Sequence, residues 1–151
     1  MAANTDHQIM EYRKLGKTDL MVSLVGYGAS PLGDVYGAVD SHEAELAAHL
    51  AIERGINFFD VSPYYGLTLA EERLGQYLLG RREKIILATK CGRYGLSDFD
   101  FSAKRIATSL EESLRRLKTV QCSSQLHDLH ANLFCLEHQR VPDWQCIRAQ
   151  Y

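Results

Sequence analysis

Asp60, Tyr65 and Lys90 are the residues of this chain whose types and spacing could do chemistry. Lys90 ends the apolar run Ile85-Ile86-Leu87-Ala88-Thr89, Asp60 ends Ile56-Asn57-Phe58-Phe59, and Tyr65 follows Asp60 by five residues. If the two runs are neighbouring parallel strands, a carboxylate and an ammonium meet at one rim of a sheet, where α/β enzymes keep their active sites. The chemistry on offer is proton transfer. A lysine held by a carboxylate stays charged, and its field favours ionisation of a nearby phenol, which can then give or take a proton at an alkoxide. The same three residues also fit a structural ion pair at a strand end with Tyr65 packed beside it, because ion pairs perturb titration without any function.

The surrounding pattern says what must position these groups. Residues 11–23 contain two short extended pieces around Leu15-Gly16-Lys17-Thr18-Asp19, a hairpin signature. An apolar strand is predicted over 24–28, followed by a loop rich in Gly and Pro over 29–38. Helix one is expected over 41–54, capped by Ser41, with Leu46, Ala47, Leu50 and Ala51 as its apolar face and Gly55 as its stop. The second strand covers 56–59. Helix two opens on Thr68-Leu69-Ala70-Glu71, the pattern of a capping box, carries Leu74 and Leu78 four apart, and stops at Gly80. The third strand spans 85–89. Ser102 caps helix three, whose apolar residues Ile106, Leu110, Leu114 and Leu117 recur at helical spacing to about residue 118. Glu111 with Arg115 and Glu112 with Arg116 are i,i+4 pairs on its polar side. A hairpin followed by three βα units implies a parallel sheet covered by helices, as an open sheet or a barrel. A fourth βα unit is due after residue 118, where the residues for it are weak.

Bulk composition narrows the partners. The 151 residues suffice for one domain with one core, and 46% hydrophobic with 24% charged residues is the balance of a globular protein. A formal charge of −2 gives no reason to expect nucleic acid or an anionic membrane. No apolar run reaches the ~18 residues of a membrane span. Residues 1–10 read as a loose polar arm and not a secretory signal, so the four cysteines are expected as free thiols in the cytoplasm. Cys91 beside Lys90 could have a lowered pKa or be a packed small residue. In the tail, Cys122, His127, His130, Cys135, His138 and Cys146 are metal-ligand types, but their spacings match no zinc module, so no metal is expected.

Several motifs extend this reading. Glu11 to Leu20, Val22-Ser-Leu-Val-Gly-Tyr-Gly28 and Gly55-Ile-Asn-Phe-Phe-Asp60 resemble the aldo-keto reductase family. Gly28-Ala29-Ser30-Pro31-Leu32-Gly33, Ser62-Pro63-Tyr64-Tyr65-Gly66 and Ala88-Thr89-Lys90-Cys91-Gly92-Arg93-Tyr94 resemble its plant-type L-galactose dehydrogenase branch. The resemblance implies an eight-stranded (β/α)8 TIM barrel with an N-terminal hairpin, of which this chain holds the N-terminal half over residues 11–118, with an unrelated tail over 119–151. It implies a catalytic tetrad of Asp60, Tyr65, Lys90 and His127, the last taken from Leu126-His127-Asp128 after a strand one residue short. It implies NAD or NADP as cofactor, with Gly28, Ala29, Ser30 and Asp60 at its nicotinamide end, and an aldose such as L-galactose oxidised to its lactone. A barrel of this kind takes about 250 residues. The missing strands carry the cofactor's pyrophosphate and adenosine site, and their loss leaves an open sheet edge suited to self-association. The alternative expectation is therefore a non-catalytic fragment acting through protein binding.

Overall fold

The structure, a computed structural model, describes residues 10–120 and the backbone of three further short strands. The chain opens with an antiparallel hairpin of β1 (Tyr12–Lys14) and β2 (Met21–Ser23), in which Tyr12 pairs with Ser23. Then come β3 (Tyr27–Gly28), a 3-10 turn (Ser30–Gly33), α1 (Ser41–Glu53), β4 (Phe58–Asp60), α2 (Leu69–Tyr77), β5 (Ile86–Cys91) and α3 (Ala103–Arg116). Three strands close the sheet, β6 (Ser124–His127), β7 (Leu133–Cys135) and β8 (Ile147–Arg148). They stand in the order β3-β4-β5-β6-β7-β8, with β3 to β6 parallel and β7 and β8 antiparallel. The expected hairpin and alternation of strand and helix are present, and β6 supplies a fourth parallel strand where the sequence was weak. The polar arm lies, but for Met10, outside the described residues.

The core sits between sheet and helices. Phe59, Val61 and Leu87 are fully buried against Ala48, Leu74, Leu110 and Leu117. Each large apolar side chain so placed stabilises the fold by about 1.5–3 kcal/mol. Tyr27 stacks on Phe59 with ring centroids 4.8 Å apart. The hairpin is tied to the start of β4, the end remote from Asp60. Asn57 accepts from the Ser23 amide (2.7 Å) and donates to Met21 O (2.8 Å), and the Tyr12 hydroxyl donates to Gly55 O (2.8 Å).

Four local expectations are corrected. Leu24 and Val25 lie outside β3 and are exposed, because the Ser23 hydroxyl donates to Val25 O (2.6 Å) and bends the chain there. Helix α1 is capped by Asp40, whose carboxylate accepts from the Glu43 amide (2.9 Å). Ser41 instead meets the Tyr77 hydroxyl (2.9 Å). The side of α1 facing the core is Ala44, Ala48 and Ala51, while Leu46, Ala47 and Leu50 are exposed, since small residues let the helix approach the sheet closely. The capping box does not form. Thr68 has a left-handed backbone (φ 86°), its hydroxyl donates to Glu72 (2.8 Å), and Glu71 turns inward.

Helix α3 begins as expected, with Ser102 Oγ accepting from the Arg105 amide (3.3 Å). On its polar side Glu112 pairs with Arg105 (3.0 Å) and not with Arg116, which reaches Glu71. The close fit of α2 against the end of α3 depends on Gly75. A Cβ there would lie 2.7 Å from Leu117 Cα.

Candidate active site

Asp60 and Lys90 occupy the C-terminal ends of adjacent parallel strands. The register pairs Asp60 with Ala88, so Lys90, two residues on, points to the same side of the sheet and reaches over the end of β4. Its Nζ donates to Asp60 Oδ1 (2.6 Å) and to Val61 O (3.2 Å). The ion pair is largely sheltered, with 14% of the Lys90 side chain and 28% of that of Asp60 exposed. Nζ also lies 4.7 Å from the centroid of the Tyr65 ring. Burial acts to lower the Lys90 pKa. The charge and hydrogen bond of Asp60, followed by the hydrogen bond and charge of Tyr65, outweigh burial and hold it above the ordinary value of 10.5. Lys90 is therefore an ammonium throughout the neutral range, held against a phenol.

The loop bearing Tyr65 is fixed from several sides. Its backbone crosses the turn after β3 so closely that a Cβ on Gly33 would lie 2.6 Å from Tyr65 O and 2.7 Å from Gly66 N. Reciprocally, a Cβ on Gly66 would lie 2.6 Å from Gly33 Cα. Arg73 of α2 staples the same turn, donating to Leu32 O and to Asp34 Oδ1 (both 2.8 Å). The hydrogen bonds from Arg73 and from the Val39 amide hold the Asp34 carboxyl below its ordinary value.

Behind Lys90, the fully buried Glu71 accepts from Thr89 Oγ1 and from Arg116 Nε, both at 2.6 Å. A buried carboxylate needs such partners to remain charged. This network ties α2, β5 and α3 together beside the lysine. Beyond Lys90 the chain turns at Gly92, and Arg93 stacks on the ring of Tyr64 with its guanidinium carbon 3.7 Å from the centroid.

The structure brings Asp60, Tyr65 and Lys90 together. Gly28 pairs in register with Asp60, and the Ala29 amide donates to Asp60 O (2.8 Å), so Gly28, Ala29 and Ser30 border the same rim. His127 falls on β6 opposite Cys91, one position past the partner of Lys90, and its side chain lies outside the described residues, as does Asp128. The Cys91 side chain is fully buried. Among the described residues no group of three His, Cys, Asp or Glu could hold a metal ion; the tail cysteines and histidines fall outside them.

The fit to a nicotinamide cofactor can be tested on these residues. Nothing lies within 4 Å of where a Gly28 Cβ would stand, Gly28 is exposed, and Ser30 offers a half-buried hydroxyl at the same edge. Such an open small-residue border fits a planar ring. Nothing described makes a phosphate cradle of it, because the Ala29 amide is already committed to Asp60.

Sequence reasoning missed Glu71, Arg73 and the Gly33–Gly66 crossing. Glu71 could have been found, since it lies three residues before Leu74 and seven before Leu78, on the same helical stripe.

A hairpin and a parallel sheet built from βα units define a partial (β/α)8 barrel, and the Asp–Lys–Tyr cluster lies at the strand ends where barrels of this kind keep their active sites. The chain belongs to the aldo/keto reductase family, whose model matches residues 24–137. Over 112 residues it is 53% identical to the L-galactose dehydrogenase of Arabidopsis thaliana, covering 72% of this chain and 35% of that protein. It superposes on an aldo-keto reductase from Bacillus halodurans in its holo form with a TM-score of 0.69 and 35% identity, over 78% of this chain and 40% of that one. It also matches an aldo-keto reductase from Klebsiella pneumoniae in complex with NADPH, with a TM-score of 0.64 and 25% identity, over 79% of this chain and 39% of that one. The chain thus spans well under half the length of each of these relatives.

Proposed function

We propose that this chain carries the proton-transfer site of an NAD(P)-dependent oxidoreductase that oxidises an aldose, such as L-galactose, to its lactone. The observation that carries the reading is the Lys90 ammonium held by Asp60 at 2.6 Å and set 4.7 Å from the Tyr65 ring centroid. In this reading Tyr65 Oη takes the proton of the sugar's C1 hydroxyl, beside the Lys90 ammonium. Asp60 keeps Lys90 charged and in place. His127 orients the sugar. When bound, a nicotinamide cofactor supplies the hydride acceptor. Gly28, Ala29, Ser30 and Asp60 would border its nicotinamide end. The likeness to L-galactose dehydrogenase supports the substrate class, and the NADPH complex of a structural neighbour supports the cofactor class.

The test is to incubate the purified chain with L-galactose and either NAD or NADP. Reduced nicotinamide should accumulate with the wild type and not with Tyr65→Phe. If no aldose gives a Tyr65-dependent absorbance change, the reading does not hold for this chain.

A second reading has its own observation. β3 stands at one end of the sheet order, Leu24 and Val25 just before it are exposed, and so are Leu46 and Leu50 of α1. An open edge beside exposed apolar residues favours association with another chain. In that reading the chain acts through protein binding, by self-association in the first instance, and light scattering showing only a monomer at high concentration would refute that self-association.

A further inference from the structure

Two successive tyrosines follow β4, and each receives one cation from the end of β5. Lys90 lies over Tyr65, and Arg93 lies over Tyr64. Consecutive Cα atoms are about 3.8 Å apart, so the second cation is anchored on the residue next to the one that carries the proposed chemistry.

Arg93 is held more firmly than a surface arginine. Its guanidinium carbon lies 3.7 Å from the Tyr64 centroid and 5.3 Å from that of Phe99. Nη2 donates to the Tyr64 hydroxyl (2.8 Å), and Nε donates to Gly95 O (3.4 Å). The Tyr64 amide in turn donates to Ser62 Oγ (3.1 Å), which fixes its backbone. Phe101 packs where a Gly92 side chain would stand, and the Asp100 amide donates to Gly92 O (3.0 Å), so the loop bearing Arg93 is folded back on itself.

Other cations around the cluster are paired: Lys90 with Asp60, Arg73 with Asp34, Arg116 with Glu71. Among the described residues no carboxylate lies within ion-pair distance of Arg93. This half-buried guanidinium has a fixed plane and no acidic partner among the described residues. With Nε and Nη2 each donating within the protein, Nη1 and the second Nη2 hydrogen are the pair matched to oxygen acceptors on a ligand.

We propose that Arg93, fixed on the ring of Tyr64, is a specificity-determining residue of this rim, binding the hydroxyl oxygens of a polyhydroxylated substrate away from its reacting carbon. Tyr64 is its positioning residue. The inference rests on the reading of the rim as a carbonyl-substrate site, and it supplies what that reading lacks, a reason for sugars to be chosen over simple aldehydes. Lys90, Asp60 and Tyr65 distinguish no hydroxyl beyond the one at the reacting carbon.

The experiment is ligand-observed NMR on the full chain, without cofactor, comparing L-galactose, a uronic acid and propionaldehyde on wild type, Tyr65→Phe, Arg93→Lys and Arg93→Gln. Binding is measured apart from turnover, so an inactive Tyr65 leaves this result interpretable. L-galactose should bind wild type and Tyr65→Phe and weaken about tenfold in Arg93→Lys, which keeps the charge and loses the fork, and further in Arg93→Gln. Propionaldehyde affinity should be the same in wild type and both Arg93 variants. Circular dichroism on each variant separates lost recognition from lost folding, and Tyr64→Phe, which keeps the stack and frees Nη2, should give an intermediate loss. Equal weakening for galactose and propionaldehyde would overturn the proposal, as would galactose failing to bind the wild type. A uronic acid bound more tightly than galactose, with only the former sensitive to Arg93, would overturn it in favour of a carboxylate site.

Discussion

Lys90 has two tasks, to remain charged and to hold one position over Tyr65, and Asp60 serves both. Replacing Lys90 with Met leaves the Asp60 carboxylate without its cation, and should cost about 2 kcal/mol of stability in chemical denaturation. The pH dependence of that loss has a definite sign. The folded-state pKa of Lys90 is raised above 10.5, so its stabilisation is fully present below that value and declines as pH rises through the folded pKa. The stability gap between wild type and Lys90→Met should be flat through the neutral range and shrink only above about pH 10.5; a gap that closes near pH 7 would contradict the assignment. Asp34 behaves oppositely. Its pKa is depressed, so its contribution is present above the ordinary 3.8 and is lost as pH falls through the folded value. Wild type and Asp34→Asn should therefore converge in strongly acidic denaturation curves. Asp60 and Lys90 were legible in the sequence because packing alone rarely closes an apolar run with a charge. Glu71 was legible only in part: its helical stripe marks it as inward-facing, but a helix-start pattern also accounts for a glutamate there, and its partners, Thr89 and Arg116, are far along the chain.

Among the elements, α2 governs the site without touching it. From its first two turns Glu71 reaches β5 and α3, Arg73 reaches the turn after β3, and Gly75 admits the end of α3. Gly75→Ala forces a methyl group against the Leu117 backbone, and should cost about 1–3 kcal/mol, read as a lower denaturation midpoint at unchanged slope. Glu71→Gln strands Arg116 in a sheltered position, and should cost about 3 kcal/mol. Changing Glu71 and Arg116 together to Leu should cost less than Glu71→Gln alone; a double variant that is the less stable of the two would show that the network is not a charge pair at heart. Helix α1 shows why amphipathic reading has limits. Its larger apolar residues were the natural choice for the core, yet the sheet takes the alanines, because close helix–sheet approach selects small side chains over hydrophobic ones.

At the scale of the molecule, the six-stranded sheet runs from β3, apart from the hairpin, with four parallel strands and then two antiparallel ones. The alternation that led to this topology was readable from 11 to 118 because each strand and helix there has its own period and stop. Beyond 118 the residues carry little of that periodicity, and β6 joins the sheet by its backbone register with β5. With β3 at one end of the order and Leu46 and Leu50 uncovered, apparent mass in light scattering should rise with concentration, and Leu46→Glu with Leu50→Glu should suppress the rise.

The crossing of Gly33 and Gly66 has a consequence in time as well as in space. Two main chains that meet without side chains between them cannot open separately, since either must clear the other's backbone. The amides of Asp34, Tyr65 and Thr68, which donate to Pro31 O, Ser62 O and Pro63 O, should exchange with solvent through one shared opening event. Their protection would then fall together under denaturant, and the loop that carries Tyr65 and the turn that follows β3 would be a single clock.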